Sequence, residues 1–145
     1  MKYKITIILS LVLLFSCSSF VKIFENVEEA MYFQSSNLID SEFYDSLKVM
    51  TWNIRFGGGR IPYVGDSCGD RSLMTEEETI GYLDKIVSYI KTSQPDILLF
   101  QEIDLSSKRT DYLNQIQYIL DKTYFNYASY ASGMDVQFAP KDGTG

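Results

Sequence analysis

Residues 95–102, Pro-Asp-Ile-Leu-Leu-Phe-Gln-Glu, carry the pattern that decides the fold class. The four residues at 97–100 form an uninterrupted apolar run, which is typical of a strand covered on both faces. Pro95 ends the preceding element, and a polar amide and a carboxylate follow the run directly. The pattern therefore predicts a buried strand with Gln101 and Glu102 at its carboxyl end.

The segment before this strand predicts an amphipathic helix. Thr75 and Glu78 form a capping-box pattern, and the three glutamates at 76–78 complement the positive end of a helix dipole. Apolar residues then recur at helical spacing over about three turns. They are Ile80, Leu83, Ile86, Val87 and Ile90.

Further elements on either side complete an α/β pattern. Residues 47–52 favour β-structure and predict a strand that ends just before Asn53. Strand, helix and buried strand in this order are typical of a layered α/β domain. Thr110 or Asp111 is expected to open a second helix, and residues 124–131 predict another strand. The apolar side of the second helix would consist of Leu113, Ile116, Ile119 and Leu120.

A glycine-containing loop spans residues 55–74, between the first strand and the first helix. Irregular loops of this length are commonly functional. Gly57, Gly58 and Gly59 would let backbone amides approach an anion, but the pattern lacks the Lys-Ser/Thr of a P-loop. We therefore expect a substrate-facing loop rather than a nucleotide site. Three arginines are candidates for phosphate contact, with ion pairs to Asp66 or Asp70 as the alternative: Arg55, Arg60 and Arg71.

Composition excludes several classes of protein. The chain has 145 residues, a size typical of one domain, and a net charge of −6, which argues against a broad basic surface for nucleic acid. Within these residues, the absence of histidine excludes a Ser-His-Asp triad, a histidine general base and a histidine zinc site. Two cysteines do not make a disulfide framework.

The first 46 residues predict export and attachment to a membrane. Residues 1–17 combine two early lysines with an apolar run at 5–15 that is too short to span a bilayer. The ending Leu-Phe-Ser-Cys resembles a bacterial lipobox, which implies a lipid anchor on Cys17 and a location in the cell envelope. An ordinary cleaved signal is the alternative. Residues 18–46 are expected to form a tether.

Asn53 and Glu102 are the candidate site residues, because each follows one of the two predicted strands. If these strands are neighbours, their carboxyl ends bring both side chains to one edge, where α/β folds bind ligands. A carboxylate there suits magnesium, and an amide can hold a neighbouring side chain or donate to a phosphoryl oxygen. A turn asparagine and a solvated strand end are the alternative interpretation.

Two motifs resemble those of the endonuclease/exonuclease/phosphatase family, which has the DNase I-like fold. Residues 51–54, Thr-Trp-Asn-Ile, match its first strand, and Gln101-Glu102 match the end of its second strand. The resemblance covers residues 47–145 and implies a two-sheet α/β sandwich. It also implies that Glu102 binds catalytic Mg²⁺ or Mn²⁺, and that Asn53 belongs to the same metal and catalytic site and helps to position the phosphate.

The implied activity is metal-dependent hydrolysis of phosphodiesters or phosphomonoesters in nucleic acids, phosphoinositides or sphingophospholipids. Family members also carry a central acid with an asparagine and a late Asp-His pair, whereas this chain has no histidine. We therefore expect the chain to be the N-terminal part of a longer, monomeric enzyme, to hold only part of the sandwich, and to be inactive by itself. The alternative is a non-catalytic, surface-anchored binding module with the same fold.

Overall fold

The computed structural model describes residues 20–22, 29–40, 45–64, 69–133 and 135–136, which fall into two compact units. In the smaller unit, strand β1 (Phe20–Lys22) pairs antiparallel with strand β6 (Asp135–Val136). The predicted signal segment and Cys17 lie outside the described residues. Among the residues that are described, no helix has the length and apolar character needed to cross a membrane.

The larger unit combines two helices with two small sheets, which confirms the α/β prediction. Its elements in chain order are β2 (Met31–Gln34), β3 (Val49–Asn53), α1 (Glu76–Ser93), β4 (Ile97–Gln101), α2 (Gln115–Lys122) and β5 (Tyr127–Tyr130). Strands β3 and β4 are parallel, and β2 and β5 are antiparallel. Strand β2 lies inside the segment expected to be a tether. The backbone of Met31–Gln34 pairs with β5 along its whole length, so this part of the segment is a strand of the larger unit.

Helix α1 begins as the sequence predicts. The Thr75 hydroxyl accepts a hydrogen bond from the Glu78 amide at 3.2 Å, and the Glu78 carboxylate accepts one from the Thr75 amide at 3.0 Å. This reciprocal capping box satisfies two amides that the helix itself leaves unpaired. The helix connects β3 to β4 and so allows the two strands to run parallel.

The core lies between the helices and one face of the β3–β4 sheet. Trp52, Leu98 and Phe100 point from the sheet towards it and are half-buried. Alternation along both strands directs every second side chain to this inner face. The buried residues of the core are Ile54, Leu83, Ile86, Val87, Ile90 and Ile119.

The prediction that β4 is covered on both faces is wrong for the described residues. On the outer face, Ile97 is 40% exposed, Leu99 is 52% exposed and Val49 of β3 is 56% exposed. The apolar run is continuous, but strand alternation sends its residues to opposite faces. Both helices pack on the inner face, and the described residues place no layer on the outer one.

The second helix starts later than predicted. A short 3-10 turn occupies Lys108–Thr110, and α2 begins at Gln115 after Asn114, whose side chain accepts the Gln117 amide at 3.0 Å. Asp111 and Tyr112 have φ angles of 53° and 58°, in the left-handed region. A right-handed helix cannot continue through such a conformation, so the hydrophobic spacing alone misplaces the start.

Candidate functional site at the carboxyl ends of β3 and β4

The structure brings Asn53 and Glu102 together at one edge of the sheet. Asn53 lies opposite Gln101 in the parallel register, so Glu102 is the first residue beyond the paired strands. The Asn53 Nδ2 donates to Glu102 Oε1 at 2.8 Å, and both residues are exposed. The expectation that the two side chains lie close together is confirmed, whereas their chemical roles stay predictions.

Asn53 is also a turn residue. Its Oδ1 accepts a hydrogen bond from the backbone amide of Arg55 at 2.9 Å, the two-residue pattern that asparagine side chains form in turns. The Asn53 amide therefore makes two different hydrogen bonds: its oxygen stabilises the turn after β3, and its nitrogen holds the Glu102 carboxylate. The two interpretations of Asn53 do not compete.

The residues before this pair are joined in the same way. Gln101 Nε2 donates to the hydroxyl of Thr51 at 3.0 Å across the sheet. The two sequence motifs thus contact each other through two side-chain hydrogen bonds, one between Asn53 and Glu102 and one between Thr51 and Gln101. This contact gives a physical reason for both motifs to occur in one chain.

The backbone around the site is strained. Glu102 has a φ angle of 53°, and the consecutive residues Arg55 and Phe56 have φ angles of 49° and 46°. The left-handed region costs about 1–2 kcal/mol for a residue with a side chain. Such conformations persist where surrounding contacts over-determine them, and they cluster at functional sites. Here the Phe56 amide donates to the Glu102 carbonyl at 2.6 Å, which holds the two strained segments together.

A buried glutamine lies beneath these two segments. Gln115, at the first position of α2, is fully buried. Its Nε2 donates to the Phe56 carbonyl at 2.8 Å, and its Oε1 accepts the Asp104 amide at 3.1 Å. One side chain therefore joins the turn after β3 to the turn after β4.

Asp104 and Arg109 form a two-point ion pair next to this glutamine. The guanidinium Nε and Nη2 lie 2.8 and 2.7 Å from the two carboxylate oxygens, and the hydroxyl of the fully buried Thr110 donates to the same carboxylate at 3.1 Å. Burial by itself would lower the pKa of Arg109, but the interactions with Asp104 and Tyr63 together outweigh it and keep that pKa above its ordinary value. The guanidinium also lies 4.1 Å from the centre of the Phe56 ring.

The glycine loop packs closely against the protein. Gly57 has a φ angle of 67°, and a Cβ there would lie 3.3 Å from both Gln115 Nε2 and Leu83 Cδ2. A Cβ on Gly59 would lie 2.2 Å from the ring of Tyr82. These glycines are therefore explained by close packing and backbone conformation.

Two of the three loop arginines, Arg55 and Arg71, bind protein groups. Arg55 donates to the carbonyls of Gly59 and Ile61 at 2.9 and 3.0 Å. Arg71 forms two hydrogen bonds with the Glu78 carboxylate at 2.8 and 2.7 Å. Glu78 is therefore one partner of Arg71, because the capping box places that carboxylate at the start of α1, while Asp66 lies outside the described residues.

An open groove of about 530 Å³ adjoins Asn53. It lies between β3 and α1, and its mixed lining offers aromatic surface and the ammonium group of Lys85, which sits 4.8 Å from the centre of the Tyr82 ring. The full lining consists of Trp52, Asn53, Ile54, Arg55, Gly59, Tyr82, Lys85, Ile86 and Tyr89.

The donor set at this edge fits a hydrated divalent cation. Among the described residues, no three Asp, Glu, Cys or His side chains gather around one point. Glu102 is an exposed carboxylate with Oε1 held by Asn53, and no described residue donates a hydrogen bond to its Oε2. Magnesium commonly takes one or two protein carboxylates and keeps water or phosphate oxygens as its other ligands.

Sequence reasoning does not single out Asp104, Arg109 or Gln115. The one available signal is the position of Gln115 four residues before Ile119, which puts a polar residue in line with the buried stripe of α2. A polar residue on an apolar stripe requires a buried partner. Its partners belong to two distant turns, so only the folded chain identifies them.

A comparison with protein families gives a match over residues 50–145 to the Endonuclease/Exonuclease/phosphatase family. The matched region contains β3 from its second residue onward, α1, β4, α2 and both candidate site residues. The chain belongs to this family of phosphoesterases, which typically use a divalent metal and have a DNase I-like fold. Comparisons with curated proteins and with solved structures gave no match.

Proposed function

We propose that this chain carries the metal-binding edge of a Mg²⁺-dependent phosphoesterase that hydrolyses phosphodiesters or phosphomonoesters. The observation that carries the proposal is the hydrogen bond of 2.8 Å between Asn53 and Glu102 at the ends of two parallel strands. This pair consists of a carboxylate suited to a hard cation and an amide that orients it. Family membership supports the reaction class.

Glu102 would hold Mg²⁺ or Mn²⁺ through its carboxylate. The chemistry that such a cation supplies when bound is neutralisation of charge on the phosphoryl group. Asn53 donates to Oε1 and so keeps the carboxylate from rotating away from the strand ends. The backbone of Glu102 also helps to fix the carboxylate. Its left-handed conformation is held by the hydrogen bond from the Phe56 amide to the Glu102 carbonyl.

The general base is assigned to neither of these residues. Family resemblance implies a His-Asp pair for activating water, and the 145 residues contain no histidine. The proposal therefore includes a contribution from further sequence in the complete protein, arranged in the two-sheet sandwich of the family. The exposed outer face of β3 and β4 is compatible with a second layer there.

Substrate classes under this proposal are nucleic acids, phosphoinositides and sphingophospholipids. The groove beside Asn53 provides aromatic surface and the Lys85 ammonium for a part of the substrate beyond the phosphate. The net charge of −6 favours substrates other than a long duplex. A lipid anchor at Cys17, export to the cell envelope and a monomeric state belong to the same proposal.

The test is a charge-removing substitution at Glu102 in the complete natural protein. Glu102→Gln keeps the size of the side chain and an acceptor for Asn53 but removes the negative charge. We expect Mg²⁺-dependent hydrolysis of bis-p-nitrophenyl phosphate to fall about a hundredfold or more, because the cation loses its protein carboxylate. Glu76→Gln, on the exposed first turn of α1, is the matched control.

Two results would contradict the proposal in different ways. Unchanged Mg²⁺-dependent hydrolysis by Glu102→Gln would show that the cation binds elsewhere. Binding of Mn²⁺ at Glu102 without hydrolysis of any phosphate ester would instead favour the non-catalytic binding module.

A further inference from the structure

We infer that Gln115 is a positioning residue that sets the placement of Glu102 and so the affinity of the site for its divalent cation. This inference rests on the proposed function of Glu102. Gln115 does not contact the carboxylate. Gln115 acts instead on the backbone that carries the Glu102 carboxylate, through contacts that sequence patterns do not identify.

The contacts form a closed ring. Phe56 donates its amide to the Glu102 carbonyl at 2.6 Å, and its own carbonyl accepts Gln115 Nε2 at 2.8 Å. Gln115 Oε1 then accepts the amide of Asp104, two residues after Glu102, at 3.1 Å. The segment from Glu102 to Asp104 is thus held at both ends, once by Phe56 and once by Gln115.

The ring holds a conformation that Glu102 would not adopt by itself. A φ angle of 53° is unfavourable for glutamate, and the residue is exposed, so burial of its side chain does not stabilise this state. Loss of the ring would let the backbone at 102 relax towards the extended region. The carboxylate would then leave the position at which Asn53 meets it.

Burial makes Gln115 hard to replace. The side chain is fully buried, and its oxygen and its nitrogen both have partners from the backbone. An apolar residue there would leave the Phe56 carbonyl and the Asp104 amide without those partners, and each buried unpaired group is costly. Gly57 is part of the same arrangement, since a Cβ at 57 would lie 3.3 Å from Gln115 Nε2.

A second contact, which is not a hydrogen bond, also joins the two turns of this closed ring of contacts. Arg109, held by Asp104 at two points, lies over the Phe56 ring at 4.1 Å. The turn after β4 therefore reaches Phe56 through its ring as well as through its backbone. This leaves Gln115 as the one described side chain that hydrogen-bonds to the backbone of both turns.

The first measurement is the affinity for Mn²⁺, used as the probe, in the complete protein by isothermal titration calorimetry. Gln115→Met retains the volume of the side chain and removes both hydrogen bonds. We expect Mn²⁺ to bind about tenfold more weakly, the lower end of the range for residues that orient a metal ligand. Gln117→Met, on the same helix but half-exposed and bonded to Gln34 and Asp121, should leave the affinity unchanged.

The second measurement needs neither metal nor activity. In the metal-free protein, hydrogen exchange of the Phe56 amide reports the bond to the Glu102 carbonyl directly. We expect this amide to exchange about tenfold faster in Gln115→Met than in wild type, while amides of the α1 core keep their wild-type rates, and we expect it to keep its protection in Gln117→Met. A uniform acceleration of all amides would mark a purely structural role.

The two measurements separate the inference from the proposed function. Weaker Mn²⁺ binding together with faster Phe56 exchange supports both, and an unchanged Mn²⁺ affinity in folded Gln115→Met overturns the inference. If wild-type protein binds no Mn²⁺, the proposed function fails, while the exchange result still shows whether Gln115 closes the ring. If Gln115→Met does not fold, Gln115→Asn, which is shorter by one methylene, is used in its place. The same outcomes in Mn²⁺ affinity and Phe56 exchange are expected for it.

Discussion

Two arginine–carboxylate pairs in this protein have the same contact distances in different surroundings. Asp104 and Arg109 make contacts of 2.7 and 2.8 Å, and so do Glu78 and Arg71. The side chains of the first pair are 9% and 31% exposed, whereas both side chains of the second are 36% exposed. The first pair lies beside the ring that holds Glu102, and the second closes the start of α1.

The difference shows that contact geometry does not determine what an ion pair contributes. A solvated pair contributes little, because water screens the attraction and replaces the partner when it is lost. A pair with a buried carboxylate is costly to assemble, and removal of one partner leaves a charge with reduced access to water. The buried pair therefore constrains the turn after β4 much more strongly than the exposed pair constrains α1.

The largest effect is expected from Asp104→Asn. The substitution removes the charge that balances half-buried Arg109, so the free energy of unfolding should fall by about 2–3 kcal/mol, measured by urea unfolding. Asp111→Asn is the matched control: Asp111 is exposed with a φ angle of 53°, which asparagine tolerates, and should change stability by less than about 0.5 kcal/mol. Equal effects of the two variants would contradict the role given to burial.

A smaller effect is expected from Glu78→Gln. Glutamine can still cap the Thr75 amide, so the variant removes only the charge that pairs with Arg71. We expect a loss of about 1 kcal/mol in the same measurement, because the pair is partly solvated. Glu77→Gln, next to it and exposed, is the control. A loss as large as that of Asp104→Asn would remove the distinction between the pairs.

The smallest effect concerns pH. Hydrogen bonds from the Arg71 side chain and then from the Thr75 amide lower the pKa of Glu78 from 4.5 to about 2. Because the folded pKa lies below the unfolded one, this contribution is fully present above about pH 4.5 and is lost as the pH falls towards 2. Between pH 5 and 2, wild type should therefore lose less than about 1 kcal/mol more unfolding free energy than Glu78→Gln, because the contribution is only partly lost at pH 2. Parallel pH profiles for the two proteins would contradict this.

The parts of the fold that were predicted from sequence depend on local patterns. The capping box at Thr75 and the apolar spacing of α1 are properties of nearby residues, and the structure confirms both. The start of α2 was misplaced because left-handed conformations at Asp111 and Tyr112 leave no mark on hydrophobic spacing. Coverage of β4 on both faces was predicted wrongly, because an apolar run shows what a strand can bury and does not show which layer is present.

The sequence by itself determined the two motifs, the two strand ends where Asn53 and Glu102 stand, and membership in a phosphoesterase family. Tertiary structure decided that one amide serves both the turn and the carboxylate, and that Asp104, Phe56 and Gln115 hold Glu102 in place. The reason is distance along the chain. Periodicity and capping act over a few residues, whereas Gln115 and Phe56 are 59 positions apart and meet only when both turns pack on α2.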